Sequence, residues 1–248
     1  MSARLKFTIA YDGASFAGWQ SQKHTNTIQD RLEKAFHEIA GKHLRVHGAG
    51  RTDAGVHALA QVAHVDLPNE KFPAAARWTS ALNAVLPSGI RVLRCAFVAS
   101  SFHARFSAKG KVYRYRIWTA PMFSPFEINR AWHVRSPLDL ETIVAVARSF
   151  IGTHDFAAFA ANRGRLESNT VRTIRSARVR RAGPLISIDF DGDGFLYKMV
   201  RLMVGAIVRC ASGKSNKSEI QTSLISPSIS RLGFAAPAGG LFLVRVRY

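Results

Sequence analysis

The chain has 248 residues, 47% of them hydrophobic and 21% charged, and this composition excludes a mainly disordered protein. The length accommodates one large domain or two modest ones. The apolar runs are shorter than the about 18 residues of a membrane span, and the N-terminal MSARLKF lacks the apolar core of a signal peptide, so we expect a cytoplasmic protein with no membrane partner.

The charge of the chain is strongly unbalanced. Lys and Arg together number 35 against 16 Asp and Glu, which gives a formal net charge of +19. For a folded chain this excess favours a nucleic-acid partner, with an ordinary solvated basic surface as the alternative. The excess is larger after residue 105, where one stretch of arginines predicts a surface that follows phosphates. These arginines are Arg163, Arg165, Arg172, Arg175, Arg178, Arg180 and Arg181.

The first half of the chain predicts the element order βαββαβ. Apolar residues at helical spacing from Ile28 to Ile39 predict an amphipathic helix that Asn26 or Thr27 caps. The order is typical of a ferredoxin-like fold, in which antiparallel strands are covered by two helices on one face. The predicted elements are strands 4–11, 43–48, 57–66 and 90–98 and helices 27–40 and 73–86, the second beginning at Pro73.

The second half repeats this plan with additions, although its sequence does not repeat. We therefore expect an α+β protein of two ferredoxin-like halves, residues 1–105 and the more basic, RNA-binding residues 106–248. The predicted elements are strands 112–118, 173–181, 185–191 and 241–247 and helices 139–151, 195–211 and 217–225.

Cofactor and metal motifs are incomplete. Residues 48–53 resemble the start of a dinucleotide fingerprint, but Asp53 replaces its third glycine. Residues 189–194 resemble the opening of a calcium loop, yet Val200 stands where the bidentate glutamate is required. Two cysteines, Cys95 and Cys210, lie in apolar stretches and are predicted to be free core thiols. We therefore expect no metal and no nucleotide cofactor.

The remaining motif is GAGRTDAGVH, residues 48–57. Its three glycines bracket Arg51, Thr52 and Asp53 between two predicted strands and permit tight backbone turns and close approach of a large ligand. An aspartate in such a turn usually serves the turn alone, so composition leaves both a structural and a catalytic role open.

The extended segment GAGRTDAGVHALAQVAHVD resembles the motif around the catalytic aspartate of the tRNA pseudouridine synthase A family. The resemblance covers nearly the whole chain, and its further blocks follow the family order. These blocks are YDGASFAGWQ, FHARFSA, VYRYRI, DFAAF, FLYKMVRLMVG and GLFLVRV.

This resemblance implies the pseudouridine synthase fold, in which two ferredoxin-like halves form one extended antiparallel sheet with helices on one face. It also implies a homodimer, no cofactor, and a tRNA substrate whose uridines 38, 39 and 40 in the anticodon stem-loop become pseudouridine. Lys198 and Leu202 stand where the family often has His and Asn, which affects the expected RNA contacts but not the reaction class.

The resemblance also implies site residues: Asp53 as nucleophile, Arg201 as its ion-pair partner, and Tyr113 against the target uracil. Arg51 is expected to contact phosphate or to fill the space left by a flipped nucleotide. From residue chemistry alone, Asp53 suits attack on C1′, attack on C6, or removal of a sugar proton. Alternation places Tyr113 on an apolar strand face, so core packing is its alternative role.

Two other classes fit part of the pattern. A non-catalytic RNA-binding module explains the basic charge, but the chain lacks an RNP1-like string, and Asp53 in the glycine loop would repel phosphate. A basic ribosomal structural protein explains the charge but not the paired halves. Pseudouridine formation on an unmodified tRNA transcript without added cofactor distinguishes the three classes.

Overall fold

The structure is a computed structural model that describes residues 3–23, 26–68, 74–161, 169–225 and 234–248. The described strands are β1 (Ala3–Tyr11), β2 (His47–Gly48), β3 (His57–Leu67), β4 (Ile90–Val98), β5 (Gly110–Trp118), β6 (Trp132–His133), β7 (Gly152–Asp155), β8 (Val171–Ala182), β9 (Leu185–Gly192) and β10 (Leu241–Arg247). The described helices are α1 (Ile28–Ala40), α2 (Ala75–Val85), α3 (Leu140–Ser149), α4 (Met199–Ala211) and α5 (Lys217–Ile225). Pro73, Arg163 and Arg165 lie outside the described residues.

The chain forms two compact units. The first contains residues 1–109 together with 242–248, and the second contains residues 110–241. The last strand therefore groups with the first unit rather than with the half that precedes it in sequence. Its first residues pair in parallel with β3, with Phe242 opposite His57. The division into domains 1–105 and 106–248 stays a prediction.

The first unit is an antiparallel sheet with the strand order β4-β1-β3, to which β2 and β10 add by pairing with β3. Alternate residues of β1 are fully buried, among them Leu5, Phe7 and Ile9. Helix α1 covers this face, since the rings of Phe7 and Phe36 meet edge to face at 5.4 Å. The buried face of the sheet and the apolar stripe of the helix thus form the core.

The boundaries of α1 follow from its caps. The Thr27 hydroxyl accepts a hydrogen bond from the Asp30 backbone N–H, which selects Thr27 from the two predicted caps. Gly41 ends the helix in the left-handed conformation, with φ of 66°.

Two predicted elements are shorter in the structure. The strand expected over 43–48 is reduced to β2, because the Val46 N–H donates to the Glu33 carboxylate rather than to a strand. The helix expected over 195–211 begins at Met199, because Lys198 has φ of 59° and a left-handed residue cannot continue a right-handed helix.

The second unit has the antiparallel strand order β5-β9-β8-β7, with β6 added in parallel to β5. The short strands β6 and β7 were not predicted. One face of β5 and β9 is buried through Tyr115, Ile117 and Phe190. Phe150, at the end of α3, packs its ring 6.4 Å from that of Phe190, which places this helix on the buried face.

The α+β class is confirmed, and in each unit helices pack on one face of a mostly antiparallel sheet. Cys95 and Cys210 are buried free thiols as predicted, and burial raises the pKa of both. No helix in the described ranges combines the length and the apolar character that a membrane crossing requires.

A buried histidine lies on β3. The His64 side chain is 1% exposed, and its Nδ1 accepts a hydrogen bond from the Ala104 backbone N–H at 3.2 Å. Its ring lies 5.0 Å from that of His47 and 4.7 Å from that of His103. Burial and, to a smaller extent, the nearby positive charges, Arg4 first among them, together lower the pKa of His64 to about 4.

We predict that His64 makes the fold sensitive to acid. The unfolded chain binds a proton at His64 near pH 6.5 and the folded chain only near pH 4, so stability decreases as the pH falls through this window. At pH 5 this loss is about 2 kcal/mol. His64→Asn keeps an acceptor for the Ala104 N–H without titrating. Urea unfolding at pH 7.5 and pH 5.0 should show a smaller acid loss for the variant, and equal losses would contradict the prediction.

Candidate active site

Asp53 lies in the loop between β2 and β3, at the start of a tight turn. The Val56 N–H donates to the Asp53 carbonyl at 3.1 Å, and Gly55 within the turn has φ of 79°. Only glycine adopts this backbone region without strain. The loop leaves Arg51 exposed, buries Thr52 and half-buries Asp53. Of the three glycines in the motif, Gly55 thus shapes the turn that carries Asp53.

The backbone of residues 13–19 packs directly against this loop. The Trp19 N–H donates to the Thr52 carbonyl at 3.0 Å. A Cβ atom on Gly18, which has φ of 93°, would lie 2.7 Å from the same carbonyl oxygen. A Cβ on Gly13 would lie 2.0 Å from the Val56 carbonyl oxygen. Both positions therefore require glycine, and the turn carrying Asp53 is held between residues 52 and 56 by another stretch of backbone.

The buried side chains of Tyr11 and Gln61 hold residues 50–52 of the loop by hydrogen bonds. The hydroxyl groups of Tyr11 and Thr52 form a buried hydrogen bond of 2.9 Å. The Gln61 amide donates to the Gly50 carbonyl at 2.9 Å. Burial raises the pKa of Tyr11, so its hydroxyl stays protonated. No role is predicted from the sequence for Tyr11 or Gln61, although Tyr11 opens the block YDGASFAGWQ and Gln61 lies in the segment GAGRTDAGVHALAQVAHVD.

The end of the loop is fixed by His57. Its side chain is 2% exposed, and its Nδ1 accepts a hydrogen bond from the Gly13 N–H at 3.1 Å. Its ring stacks on that of Phe242 at 4.5 Å between centroids. The loop is thus anchored at both ends, and the position of the Asp53 backbone is set before any ligand binds.

Tyr113 and Arg201, the other predicted site residues, lie in the second unit. Tyr113 is 8% exposed, and its ring meets that of Phe195 edge to face at 5.0 Å. Its neighbour Tyr115 is fully buried and donates its hydroxyl to the Pro237 carbonyl at 2.7 Å. The two tyrosines therefore share a strand face and are both buried, with Tyr115 the more deeply enclosed.

Arg201 lies in an otherwise apolar helix. Between Met199 and Val208 of α4 it is the one charged residue, and it is half-buried. Its Nε donates to the Ala236 carbonyl at 2.7 Å, while the Ala236 N–H donates to the Arg201 carbonyl at 3.0 Å. Since removing a cation from water is costly without a counter-charge, this position favours a carboxylate partner.

The two departures from the family pattern occupy different surroundings. Lys198 precedes α4 in the left-handed conformation, with its ammonium group 5.2 Å from the Tyr197 ring centroid. Leu202 is buried in the helix at 5% exposure. In this chain position 202 therefore contributes to the apolar core.

The carboxylates of the calcium-loop lookalike serve the sheet instead. The Asp191 carboxylate accepts from Arg175 at 3.4 Å, and that of Asp193 accepts from the Thr173 N–H at 3.1 Å. Among the residues that the structure describes, no group of His, Cys, Asp and Glu is arranged to hold a metal ion.

We predict that Gly13→Ala destabilises the first unit. The added methyl group would overlap the Val56 carbonyl oxygen, and backbone atoms on both sides must move to admit it. Overpacking of this kind costs about 1–3 kcal/mol. Gly194→Ala is the matched control, because its methyl group would lie at an ordinary 3.4 Å from the flexible Arg172 side chain. Urea unfolding compares the free energies of unfolding of the two variants. An equal decrease in both would show that the close approach of Gly13 to the Val56 carbonyl does not limit stability.

The chain is similar to named proteins along nearly its whole length. A family model described as tRNA pseudouridine synthase matches residues 8–107 and 146–248. The tRNA pseudouridine synthase A of Akkermansia muciniphila is 46% identical over 99% of this chain and 95% of its own length. Proteins of the same name from Acetivibrio thermocellus and Solidesulfovibrio magneticus are 41% and 44% identical, covering 98% and 99% of this chain and 99% and 91% of their own lengths. The chain thus belongs to the tRNA pseudouridine synthase family and is an isomerase that acts on uridine in tRNA.

Proposed function

We propose that this enzyme converts uridines 38, 39 and 40 of the tRNA anticodon stem-loop to pseudouridine, with Asp53 as the nucleophile. The observation that carries the proposal is the loop of Asp53. Its backbone is held by the close approach of Gly13 and Gly18 and by the buried bond between Tyr11 and Thr52. Such a loop presents one carboxylate in a fixed position, which this isomerisation requires.

The reaction rearranges bonds within one nucleoside, and a carboxylate can assist it. The N1–C1′ bond of uridine breaks, the uracil turns, and C5 bonds to C1′. The proton on C5 is then lost and N1 gains one, so no net oxidation occurs. A carboxylate that attacks C1′ or C6 is released at the end, and one that removes a sugar proton returns it, so Asp53 is regenerated on each route.

Arg201 is proposed as the ion-pair partner of Asp53. Its guanidinium group lies in an apolar helix, where an opposite charge is most valuable. Pairing would give the Arg201 cation a counter-charge and hold the Asp53 rotamer.

Tyr113 and Arg51 are proposed to bind substrate. The Tyr113 ring is packed against Phe195, which holds its plane for stacking on a base. Arg51 is exposed two residues before Asp53, where it can contact phosphate or occupy the space of a flipped nucleotide.

The assembly and location are part of the same proposal. A homodimer would offer a folded anticodon arm a larger surface than one chain does. With a net charge of +19 and a tRNA substrate, the enzyme is proposed to work in the cytoplasm.

Asp53→Asn tests the central role. The amide keeps the size of the side chain but cannot act as an ionised nucleophile or base, so turnover should fall by about three orders of magnitude or more. tRNA binding should persist or strengthen, since a negative charge near phosphate is removed. Nucleoside analysis measures pseudouridine without added cofactor, and filter binding measures affinity.

The matched control for this substitution is Asp193→Asn. Asp193 is exposed and accepts from the Thr173 N–H, a role that an amide oxygen keeps, so its turnover should match wild type. Substantial turnover by Asp53→Asn would refute the assignment.

Transcripts with a single uridine at position 38, 39 or 40 test the sites of modification, and product at other positions instead would refute that part of the proposal.

Tyr113→Phe should separate chemistry from packing. The ring and its contact with Phe195 remain, while the hydroxyl is lost, so turnover should drop. Tyr115→Phe is the structural control: it removes the buried bond to the Pro237 carbonyl, so the melting temperature should fall while turnover is kept. Near-native turnover in Tyr113→Phe would show that its hydroxyl takes no part in the reaction.

A further inference from the structure

One face of the β5-β9-β8 sheet carries arginines on both sides of the central strand β9. Residues directly opposite in antiparallel strands share a face, and Asp189 lies between two of these arginines, Ser187 between the other two. We call this set the arginine face: Arg114 and Arg178 opposite Asp189, and Arg116 and Arg180 opposite Ser187.

The arginine face points away from the helices. The alternate residues Ile186, Ile188 and Phe190 of β9 are buried at 1% exposure or less, and Phe190 packs against Phe150 at the end of α3. Since neighbouring residues of a strand point to opposite sides, Ser187 and Asp189 lie on the solvent side. The four arginines therefore lie on the face of the sheet opposite the helices, with those of β8 more exposed than those of β5.

Acidic groups offset this charge only in part. The Asp189 carboxylate accepts two hydrogen bonds from Arg114, at 2.7 and 2.9 Å, and one from Arg180 at 2.5 Å. Glu127 accepts from Arg116 at 2.8 Å. Within the described ranges these two carboxylates bond to three of the four guanidinium groups, and like charges across a sheet disfavour folding. An array that keeps such an excess indicates an anionic partner.

The two arginines of β8 are the accessible ones. The Arg180 side chain is 57% exposed although it contacts Asp189. Arg178 is exposed, and in the ranges that the structure describes it has no hydrogen bond or ion pair. Three other arginines of the predicted phosphate surface are held elsewhere: Arg172 and Arg181 bond to backbone carbonyls, and Arg175 bonds to Asp191.

We propose that the arginine face binds the sugar-phosphate backbone of tRNA, with Arg178 and Arg180 as the direct phosphate contacts. The choice of tRNA as the partner rests on the proposed function, whereas the arrangement of the arginines does not. Arg178 and Arg180 lie two residues apart, about 6.6 Å along the strand, so each can meet a separate phosphate. The Asp189 carboxylate, itself bonded to Arg114, restricts the Arg180 side chain, which lowers the entropy lost on binding.

The test compares two double variants with the same change in charge. Arg178→Gln/Arg180→Gln removes the proposed contacts. Arg148→Gln/Lys217→Gln is the control, because both residues are exposed on helices of the same unit, α3 and α5. The affinity for an unmodified tRNA transcript is measured from 50 to 300 mM salt, together with kcat and KM. Arg178→Gln alone, which breaks no ion pair, covers the case in which the double variant folds poorly.

Each phosphate contact contributes about 0.7–0.9 to the slope of log affinity against log salt. We expect the arginine-face variant to lose about 1.5 from this slope, with a raised KM and an unchanged kcat, and the control to stay near wild type. Equal effects in the two variants would reduce the result to net charge and overturn the proposal, as would unchanged slopes in both. If no pseudouridine forms but the slope still falls only in the arginine-face variant, the proposed function fails and the surface stands.

Discussion

The close approach of two backbone segments is the constraint on which the candidate site depends. Residues 13–19 pack so tightly on residues 52–56 that Gly13 and Gly18 leave no room for a Cβ atom. Contact between backbones is stiffer than contact between side chains, because no rotamer change can relax it. Strand β1 leads directly into residues 13–19, so the sheet restricts the movement of this segment and, through it, of the Asp53 turn.

Buried hydrogen bonds around that contact also restrict the loop. The bond between Tyr11 and Thr52 and the bond from Gln61 to Gly50 satisfy buried groups that would otherwise be costly, and they do so in one geometry only. A catalytic carboxylate benefits from this arrangement, since reorganisation at the moment of reaction is avoided.

Charge is distributed in the second unit according to the two faces of its sheet. The buried face excludes charge, apart from positions such as Arg201 where a helix brings one cation among apolar residues. The solvent face gathers arginines around Asp189, which binds two of them and so reduces their mutual repulsion without neutralising the surface. The cost of this repulsion is consistent with a surface shaped for binding rather than for stability alone.

The α+β class, most helices and strands, and the turn at Asp53 were predictable from the sequence, because periodicity, caps and glycine spacing are local properties, whereas the role expected of Asp53 came from the family resemblance. The late start of α4 was not, since nothing in the residue type of Lys198 requires a left-handed backbone. Nor were the roles of Tyr11 and Gln61, whose partners lie 41 and 11 residues away. The arginine face shows the difference most clearly: a run of arginines marked β8, but only strand register placed Arg114 and Arg116 beside Arg178 and Arg180 and turned Arg175 toward Asp191. Register is set by which strands pair and by the packing of their buried sides, and this information belongs to the folded chain as a whole rather than to any one segment.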